Sequence, residues 1–143
     1  MKLYLVGSLR NIEVPKVGEA LRHAGHEVYD DWFSPGPQAD EFWQSYEIDR
    51  GHTYREALEG RHADMVFNND MRWLAWAEGA VLVLPAGRSA HLELGYMVGR
   101  GKPTFVYFAS EPDRYDIMYR LATHCAFDLE ELIYSIDLED SRG

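Results

Sequence analysis

Glu93 is the residue whose surroundings best suit nucleophilic chemistry. It lies in the segment 89–96, which reads Ser-Ala-His-Leu-Glu-Leu-Gly-Tyr, and Ser89 is a typical N-cap of a helix. The positive end of the helix dipole would then stabilise the ionised Glu93 carboxylate in the first turns of that helix. Such a carboxylate, flanked by leucines, could attack an electrophilic sugar carbon, whereas an exposed helical glutamate is the simpler interpretation of the same pattern.

Tyr4 and Asp70 are two further polar residues in positions that could serve chemistry. Tyr4 lies in an apolar segment shortly before Gly7, so we expect its side chain inside the fold and its hydroxyl near the carboxyl end of a strand. The alternative is a core tyrosine whose hydroxyl bonds to any backbone partner. Asp70 follows Asn68 and Asn69 at an expected helix break, where it could act on a ligand or only cap the next helix.

A glycine-containing turn, Gly7-Ser8-Leu9-Arg10, follows the first apolar segment. Gly7 allows the backbone to turn sharply toward a ligand, Ser8 offers a hydroxyl, and Arg10 offers a forked cation that suits phosphate. Backbone amides at the start of the following helix can also hold an anion. The alternative is a tight turn between a strand and a helix, with a solvated arginine.

Aromatic residues are concentrated between positions 30 and 52. This segment contains Trp32, Phe33, Trp43 and Tyr46. Aromatic rings stack on planar ligands, so they could form the wall of a nucleobase pocket, although aromatic clusters more often pack against one another.

Composition and charge exclude several classes of protein. The 143 residues carry a formal net charge of −10, and a field of that sign repels a nucleic-acid polymer. No apolar run approaches the roughly 20 residues of a membrane helix, and the N-terminal segment lacks the shape of a signal peptide. With one cysteine, Cys125, and histidines without metal-binding spacing, we expect a cytoplasmic protein without a disulfide or a metal site.

Apolar, strand-like segments alternate with helical patterns along the chain. We expect strands at residues 2–6, 26–29, 80–84, 103–108 and 126–127. The segment 80–84 is apolar throughout, as in a strand buried on both faces. This alternation predicts an α/β fold, with a five-stranded parallel sheet and helices on both of its faces. Ligands of such sheets bind at the carboxyl ends of the strands, so the loops at 7–13, 30–52 and 85–92 should form the site.

The helical segments are delimited by their caps and breakers. We expect helices at residues 14–24, 42–48, 53–67, 70–77, 89–98, 111–122 and 129–136. Thr53 begins a capping box, and Gly25 ends the first helix. Residues 1–136 are therefore expected to form one domain, followed by a frayed polar tail at 137–143.

Taken together, these segments resemble the nucleoside 2-deoxyribosyltransferase superfamily, nearer to its 2′-deoxynucleoside 5′-phosphate N-hydrolase branch. The matching segments, in the family's order, are 3–10, 69–70 (Asn-Asp), 80–84, 89–96 and 101–103 (Gly-Lys-Pro). The resemblance implies a flavodoxin-like, or Rossmann-like, fold and cleavage of an N-glycosidic bond without a cofactor. It also implies a small-molecule nucleoside or nucleotide as the ligand, and a homodimer or larger homo-oligomer with shared active sites.

The resemblance also assigns roles by matching position. Glu93 would attack C1′ of the sugar, Tyr4 would orient its carboxylate, and Asp70 would lie near the base and assist its protonation. The turn formed by residues 7–10 would hold the 5′-phosphate.

The phosphate site of the hydrolase branch also includes a serine six residues before the nucleophile. This chain has Gly87 at that position, and Ser89 lies four residues before Glu93. We therefore take Gly87 and Ser89 as expected substrate-binding residues, together with Trp32 at the base.

Two departures from the transferase pattern favour one branch of the family. The stretch 79–92 lacks the second aspartate of the transferases, and no asparagine follows Asn69, where the transferases lend one to a neighbouring subunit. With Arg10 present, both departures favour hydrolysis of a (2′-deoxy)nucleoside 5′-monophosphate to free base and sugar phosphate. The alternatives are a nucleoside 2-deoxyribosyltransferase that exchanges bases and a non-catalytic nucleotide-binding module.

Overall fold

A parallel sheet forms the centre of the protein in a computed structural model that describes residues 1–143. Its strands are β1 (Lys2–Val6), β2 (Glu27–Tyr29), β3 (Gly79–Leu84), β4 (Thr104–Phe108) and β5 (His124–Ala126). Every neighbouring pair is parallel, and the order across the sheet is β2-β1-β3-β4-β5. This flavodoxin-like order confirms the predicted α/β fold, although β5 begins two residues earlier than the predicted segment at 126–127.

Helices cover both faces of the sheet, as the alternation of segments predicts. They are α1 (Glu13–His23), α2 (Ala39–Asp49), α3 (Tyr54–Leu58), α4 (Arg61–Trp76), α5 (Arg88–Gly99) and α6 (Leu129–Arg142). Helices α1 and α6 pack on one face through Val17, Leu21 and Ile136, while α4 and α5 pack on the other through Leu74 and Met97. None of these helices has the length and apolar character needed to cross a membrane.

The side chains of β1 alternate between the two faces. Leu3 and Leu5 pack with α1 and α6, whereas Tyr4 and Val6 pack with α4 and α5. All four are at most 2% exposed, because β1 is paired on both sides and covered on both faces. The period of two along the strand therefore directs Tyr4 toward α4 and α5.

The predicted helix break at Asn68 and Asn69 is wrong, because α4 runs without interruption from Arg61 to Trp76. An asparagine costs a helix only up to about 0.7 kcal/mol relative to alanine, which packing of the apolar face of α4 outweighs. Asp70 therefore projects from the body of a helix and is not an N-cap, so its carboxylate is available for the site.

Three other helix predictions are also wrong. The single helix predicted at 53–67 is divided, because α3 ends at Leu58 and α4 begins at Arg61. The N-cap of α5 is Gly87 rather than Ser89, so that α5 begins at Arg88. In the segment 111–122 only Ile117–Leu121 is helical, and it forms a 3-10 turn. Three apolar side chains of this turn, Ile117, Met118 and Leu121, remain exposed, so little buried surface stabilises a longer helix there.

The polar C-terminal segment is helical and not frayed, because α6 continues to Arg142. Asp137 lies 2.9 Å from Nε2 of His26, and Asp140 lies 3.0 Å from the amino group of Met1. These long-range contacts hold the last turns of α6 against the start of the chain, which explains why a polar composition alone predicted the wrong boundary.

Lys102, in the Gly-Lys-Pro segment between α5 and β4, caps the C-terminus of α4. Its Nζ donates hydrogen bonds to the carbonyl oxygens of Leu74 at 3.0 Å, Ala75 at 3.4 Å and Ala77 at 2.7 Å. The last turn of a helix leaves these carbonyls without partners, and its negative dipole end favours a cation. The motif therefore links α4 to the sheet.

Candidate active site

Tyr4, Asp70 and Glu93 lie together on the face of the sheet that α4 and α5 cover. Tyr4 comes from the middle of β1, Asp70 from α4 and Glu93 from α5. Burial raises the pKa of the Tyr4 hydroxyl, and the negative charges of Glu93 and Asp70 raise it further. The three side chains are therefore close enough to interact electrostatically, as a shared site requires.

The Glu93 carboxyl is largely shielded from water. Its Oε2 atom is buried and has no hydrogen-bond partner. Burial raises the pKa of Glu93 to about 7; the nearby Tyr4 hydroxyl acts in the opposite direction, and the charge of Asp70 raises the pKa. Desolvation is therefore the largest effect on this carboxyl, and Glu93 changes charge near neutral pH.

Asp70 is half-buried, and burial raises the pKa of its carboxyl as well. Two carboxyl groups in one site can divide their roles, because one can be ionised while the other keeps its proton. The pair can therefore supply a nucleophile and a proton donor together. No group of three or more His, Cys, Asp or Glu side chains is arranged to hold a metal ion.

A cavity of about 300 Å³ opens at the carboxyl ends of β1 and β3. It is lined by residues 8 and 10–12 of the loop after β1 and by residues 85–87 of the loop after β3. The structure thus brings Ser8, Arg10 and Gly87 together, at the sheet edge where ligands of such folds bind. Ser89 is exposed two residues beyond this lining, so it does not join them.

Asn11 holds the two loops together and is the residue that the sequence patterns missed. It is buried, and its Nδ2 lies 3.3 Å from the carbonyl oxygens of Val83 and Pro85. Its Oδ1 accepts a hydrogen bond from the backbone N–H of Glu13 at 3.0 Å. An asparagine just before a helix is the signal that could have indicated this role.

Gly7 and Trp32 pack against each other at the base of the first loop. A Cβ at Gly7 would lie 2.9 Å from Cγ2 of Val14 and 3.6 Å from the Trp32 ring, so a side chain there would displace its neighbours. The indole N–H of Trp32 donates to the carbonyl oxygen of Leu5 at 2.8 Å. Trp32 therefore supports the loop, while its contact with a base stays a prediction.

Arg10 extends from this loop toward α2. Its guanidinium is exposed and forms an ion pair with Glu41. Its backbone N–H donates to Oγ of Ser8 at 3.1 Å, which fixes the turn locally, while Leu9 is half-buried between them. An anion in the cavity would compete with Glu41 for the Arg10 guanidinium.

The aromatic residues of the segment 30–52 do not form a single wall. Phe42, Trp43 and Tyr46 line a second cavity of about 480 Å³, together with His62 of α4. Trp32 is not part of that cavity. The sequence therefore identified the aromatic segment. It could not show that Trp32 packs beneath the loop after β1, whereas the rings of α2 line a separate cavity.

Replacing Glu93 by glutamine should stabilise the protein above neutral pH. The folded state keeps the Glu93 proton up to a pH of about 7, whereas the unfolded chain loses it near 4.5, so the free energy of unfolding falls as the pH rises between these values. We expect Glu93→Gln to exceed the wild type by on the order of 2 kcal/mol at about pH 8 and to match it near pH 4.

Urea denaturation followed by circular dichroism measures this difference. Glu27→Gln is the matched control, because Glu27 is exposed on the edge strand β2. It should leave the pH dependence of the wild type unchanged. Parallel pH profiles for Glu93→Gln and the wild type would contradict the raised pKa of Glu93.

The fold is shared by solved structures, although no protein-family model and no curated protein matches the sequence. A 2-deoxyribosyltransferase from Bacillus psychrosaccharolyticus superposes with a TM-score of 0.64 at 20% identity, covering 93% of this chain and 90% of that one. A conserved protein from Enterococcus faecalis V583 gives a TM-score of 0.63 at 14% identity, covering 97% and 98%.

The CMP N-glycosidase BcmB of Clostridium botulinum also has this fold, with a TM-score of 0.53 at 13% identity over 96% of this chain and 99% of that one. At these identities the similarity concerns the fold, and it does not separate the transferase branch from the glycosidase branch. This chain therefore has, over nearly its whole length, the fold of a 2-deoxyribosyltransferase and of a CMP N-glycosidase.

Proposed function

We propose that this protein cleaves the N-glycosidic bond of a (2′-deoxy)nucleoside 5′-monophosphate, releasing the free base and the sugar phosphate. The observation that carries the proposal is the buried Glu93 carboxyl, whose pKa of about 7 places its charge change near neutral pH, beside Tyr4 and Asp70. The fold similarity to a 2-deoxyribosyltransferase and a CMP N-glycosidase supports it.

In the first step, a carboxylate oxygen of Glu93 bonds to C1′ while the bond from C1′ to the base nitrogen breaks. The sugar passes through an oxocarbenium-like state, which the nearby carboxylate stabilises. The carboxyl pair holds one proton, which passes from Glu93 to Asp70 as Glu93 becomes the nucleophile. The electron pair of the broken bond goes to the base, and Asp70 donates this proton to it. Tyr4 positions the Glu93 carboxylate. Its hydroxyl lies beside that carboxylate, and its backbone belongs to the buried central strand β1.

In the second step, water attacks C1′ and the bond from C1′ to the Glu93 oxygen breaks. The Asp70 carboxylate accepts a proton from this water, and Glu93 leaves as a carboxylate. The pair thereby regains its one proton, which returns to Glu93 when the products leave. A second base attacking in place of water would give transfer, the alternative that the TM-score of 0.64 to a 2-deoxyribosyltransferase keeps open.

The 5′-phosphate would occupy the cavity between the two loops. The Ser8 hydroxyl, the Arg10 guanidinium and the backbone at Gly87 line it. Gly87 is also the N-cap of α5, and the N-terminus of a helix favours an anion. These local donors offset the net charge of −10 at the one place where a phosphate must bind.

Base release is the direct test of this proposal. Each ribo- and deoxynucleoside and its 5′-monophosphate would be incubated with the protein, with and without a second free base, and the products separated by chromatography. We expect free base and sugar phosphate from monophosphates, and a loss of about 10³-fold in Glu93→Ala, because the nucleophile is removed. Glu27→Ala, on the exposed edge of β2, should keep the wild-type rate.

Two other results would redirect the assignment. A base-exchanged product would establish the transferase. Tight nucleotide binding without base release, unchanged in Glu93→Gln, would indicate a non-catalytic binding module.

Substitutions of Arg10 and Glu41 should alter phosphate recognition in opposite directions. Arg10→Ala removes the cation and should raise KM for a monophosphate about tenfold, with little effect on the matching nucleoside. Glu41→Gln removes the competing partner of Arg10 and should lower KM for the monophosphate. Initial rates with both substrates measure these changes, and equal effects on nucleoside and nucleotide would argue against phosphate recognition.

We also propose that two or more copies of the chain assemble through α2, α3 and α4. Five large apolar side chains on or between these helices are at least 60% exposed: Phe42, Ile48, Tyr54, Met65 and Phe67. Apolar surface concentrated in this way is typical of protein interfaces. A second copy is the partner that shared active sites require.

The mass in solution tests this assembly. We expect the wild type to sediment as a multiple of 16.5 kDa, and Phe67→Glu to sediment as a single chain because a charge is then buried at the interface. Ile117→Glu is the matched control, since Ile117 is 74% exposed outside these helices. A wild type that sediments as a single chain at micromolar concentration would contradict the proposal.

A further inference from the structure

Tyr29 is a buried tyrosine beside the candidate site that the mechanism above does not use. It ends β2, where it stands opposite Tyr4 in the register of the sheet, and the two ring centroids are 5.3 Å apart. Its ring also stacks on Trp73 of α4, at 4.3 Å between centroids with the planes 9° apart. Tyr29 is 6% exposed, so these contacts hold its hydroxyl in one place.

The direction of the hydrogen bonds around this hydroxyl is fixed by Arg72. Nη2 of Arg72 lies 2.8 Å from Oδ1 of Asn69, and a guanidinium can only donate, so the oxygen of the amide must face Arg72. The Nδ2 of Asn69 therefore faces the Tyr29 hydroxyl, 3.2 Å away, and donates to it. The Tyr29 oxygen acts as an acceptor, and its own proton has no partner among the hydrogen bonds of this chain.

This unused proton lies close to Asp70, the candidate acid. Burial raises the pKa of Tyr29, and although the bond from Asn69 lowers it, the charge of Asp70 raises it further, so the hydroxyl keeps its proton at neutral pH. Asp70 also acts on Tyr4 and Glu93. Tyr29 is thus a neutral donor next to the group that faces the leaving base in the mechanism above.

We propose that Tyr29 donates a hydrogen bond to the leaving base of the substrate, and that Asn69 and Arg72 are positioning residues that direct its proton there. This inference rests on the proposed function. The acceptor is attached to the carbon next to the glycosidic nitrogen, and it is the carbonyl oxygen O2 in a pyrimidine and the ring nitrogen N3 in a purine. Charge accumulates on this atom as the C1′–N bond breaks, so the hydrogen bond strengthens in the transition state and raises kcat.

Two variants separate the proton of Tyr29 from its packing. Tyr29→Phe removes the hydroxyl and keeps the ring between Tyr4 and Trp73. Asn69→Asp keeps a hydrogen bond between the two residues but reverses it, because a carboxylate can only accept, and it leaves Arg72 with a partner. The Tyr29 proton then points to residue 69 and can no longer form a hydrogen bond with the substrate. If the hydrogen bond between Tyr29 and residue 69 were purely structural, Asn69→Asp would leave kcat unchanged.

The experiment compares two leaving groups on the same sugar 5′-phosphate. One is a natural base, and the other is 4-nitrophenolate, which departs without the help of a donor. We expect both variants to lower kcat for the natural base about tenfold and to change the 4-nitrophenyl reaction less than twofold, with KM nearly unchanged. Tyr134→Phe, at a tyrosine 69% exposed on α6, should change neither rate.

The outcomes distinguish the inference from the function on which it rests. A wild type that cleaves neither substrate overturns both. Cleavage by the wild type, with equal losses on the two leaving groups in Tyr29→Phe, would show that the tyrosine only packs. A normal rate in Asn69→Asp would show that the direction of the Tyr29 proton is unimportant. Thermal unfolding of each variant identifies any loss that comes from misfolding.

Discussion

The burial of the Glu93 carboxyl is the constraint on which the rest of this structure depends. Its Oε2 has no partner, and burial raises its pKa to about 7, so the folded protein loses stability whenever this group ionises. Apolar packing must offset that loss. It does so on both faces of the sheet, where two separate clusters of 12 buried residues each enclose the central strands. The core therefore stabilises the chain and also keeps water from one reactive group.

The site is assembled from elements that are distant in sequence, so its geometry depends on the connections between them. Tyr4 is fixed by the register of β1, while Asp70 and Glu93 belong to different helices. Asn11 ties the loop after β1 to the loop after β3, and Lys102 ties the end of α4 to the start of β4. Both residues bond to backbone carbonyls, which makes them braces between elements and not participants in chemistry.

The features that the sequence predicted are those that depend on local patterns. The apolar run at 80–84 indicated a buried strand, and Thr53 with its capping box indicated a helix start, because neither needs a distant partner. Distant partners explain two of the errors, the missed role of Asn11 and the wrong C-terminal boundary. Asn11 bonds to residues 72 and 74 positions away, and the end of α6 is held by the start of the chain.

Asp70 and Glu93 show a second limit, which concerns competing local effects. Two asparagines before Asp70 suggested a helix break, yet packing of α4 overrode their weak preference. For Glu93 the sequence pattern suggested a stabilised, ionised carboxylate, whereas burial in the folded structure raises its pKa to about 7. The sequence therefore singled out both residues, whereas only the folded structure shows that burial raises the pKa values of their carboxyls.

The same desolvation has a different consequence once a sugar cation forms. In the free protein, an ionised Glu93 lacks both water and a hydrogen-bond partner at Oε2. In the proposed reaction, positive charge develops at C1′ next to this oxygen, and the attraction is stronger in a dry pocket than in water. The desolvated charge of Glu93 is thus unfavourable in the ground state and favourable in the transition state. This difference lowers the barrier of the reaction. A fully solvated and hydrogen-bonded carboxylate would make the protein more stable and the proposed nucleophile weaker.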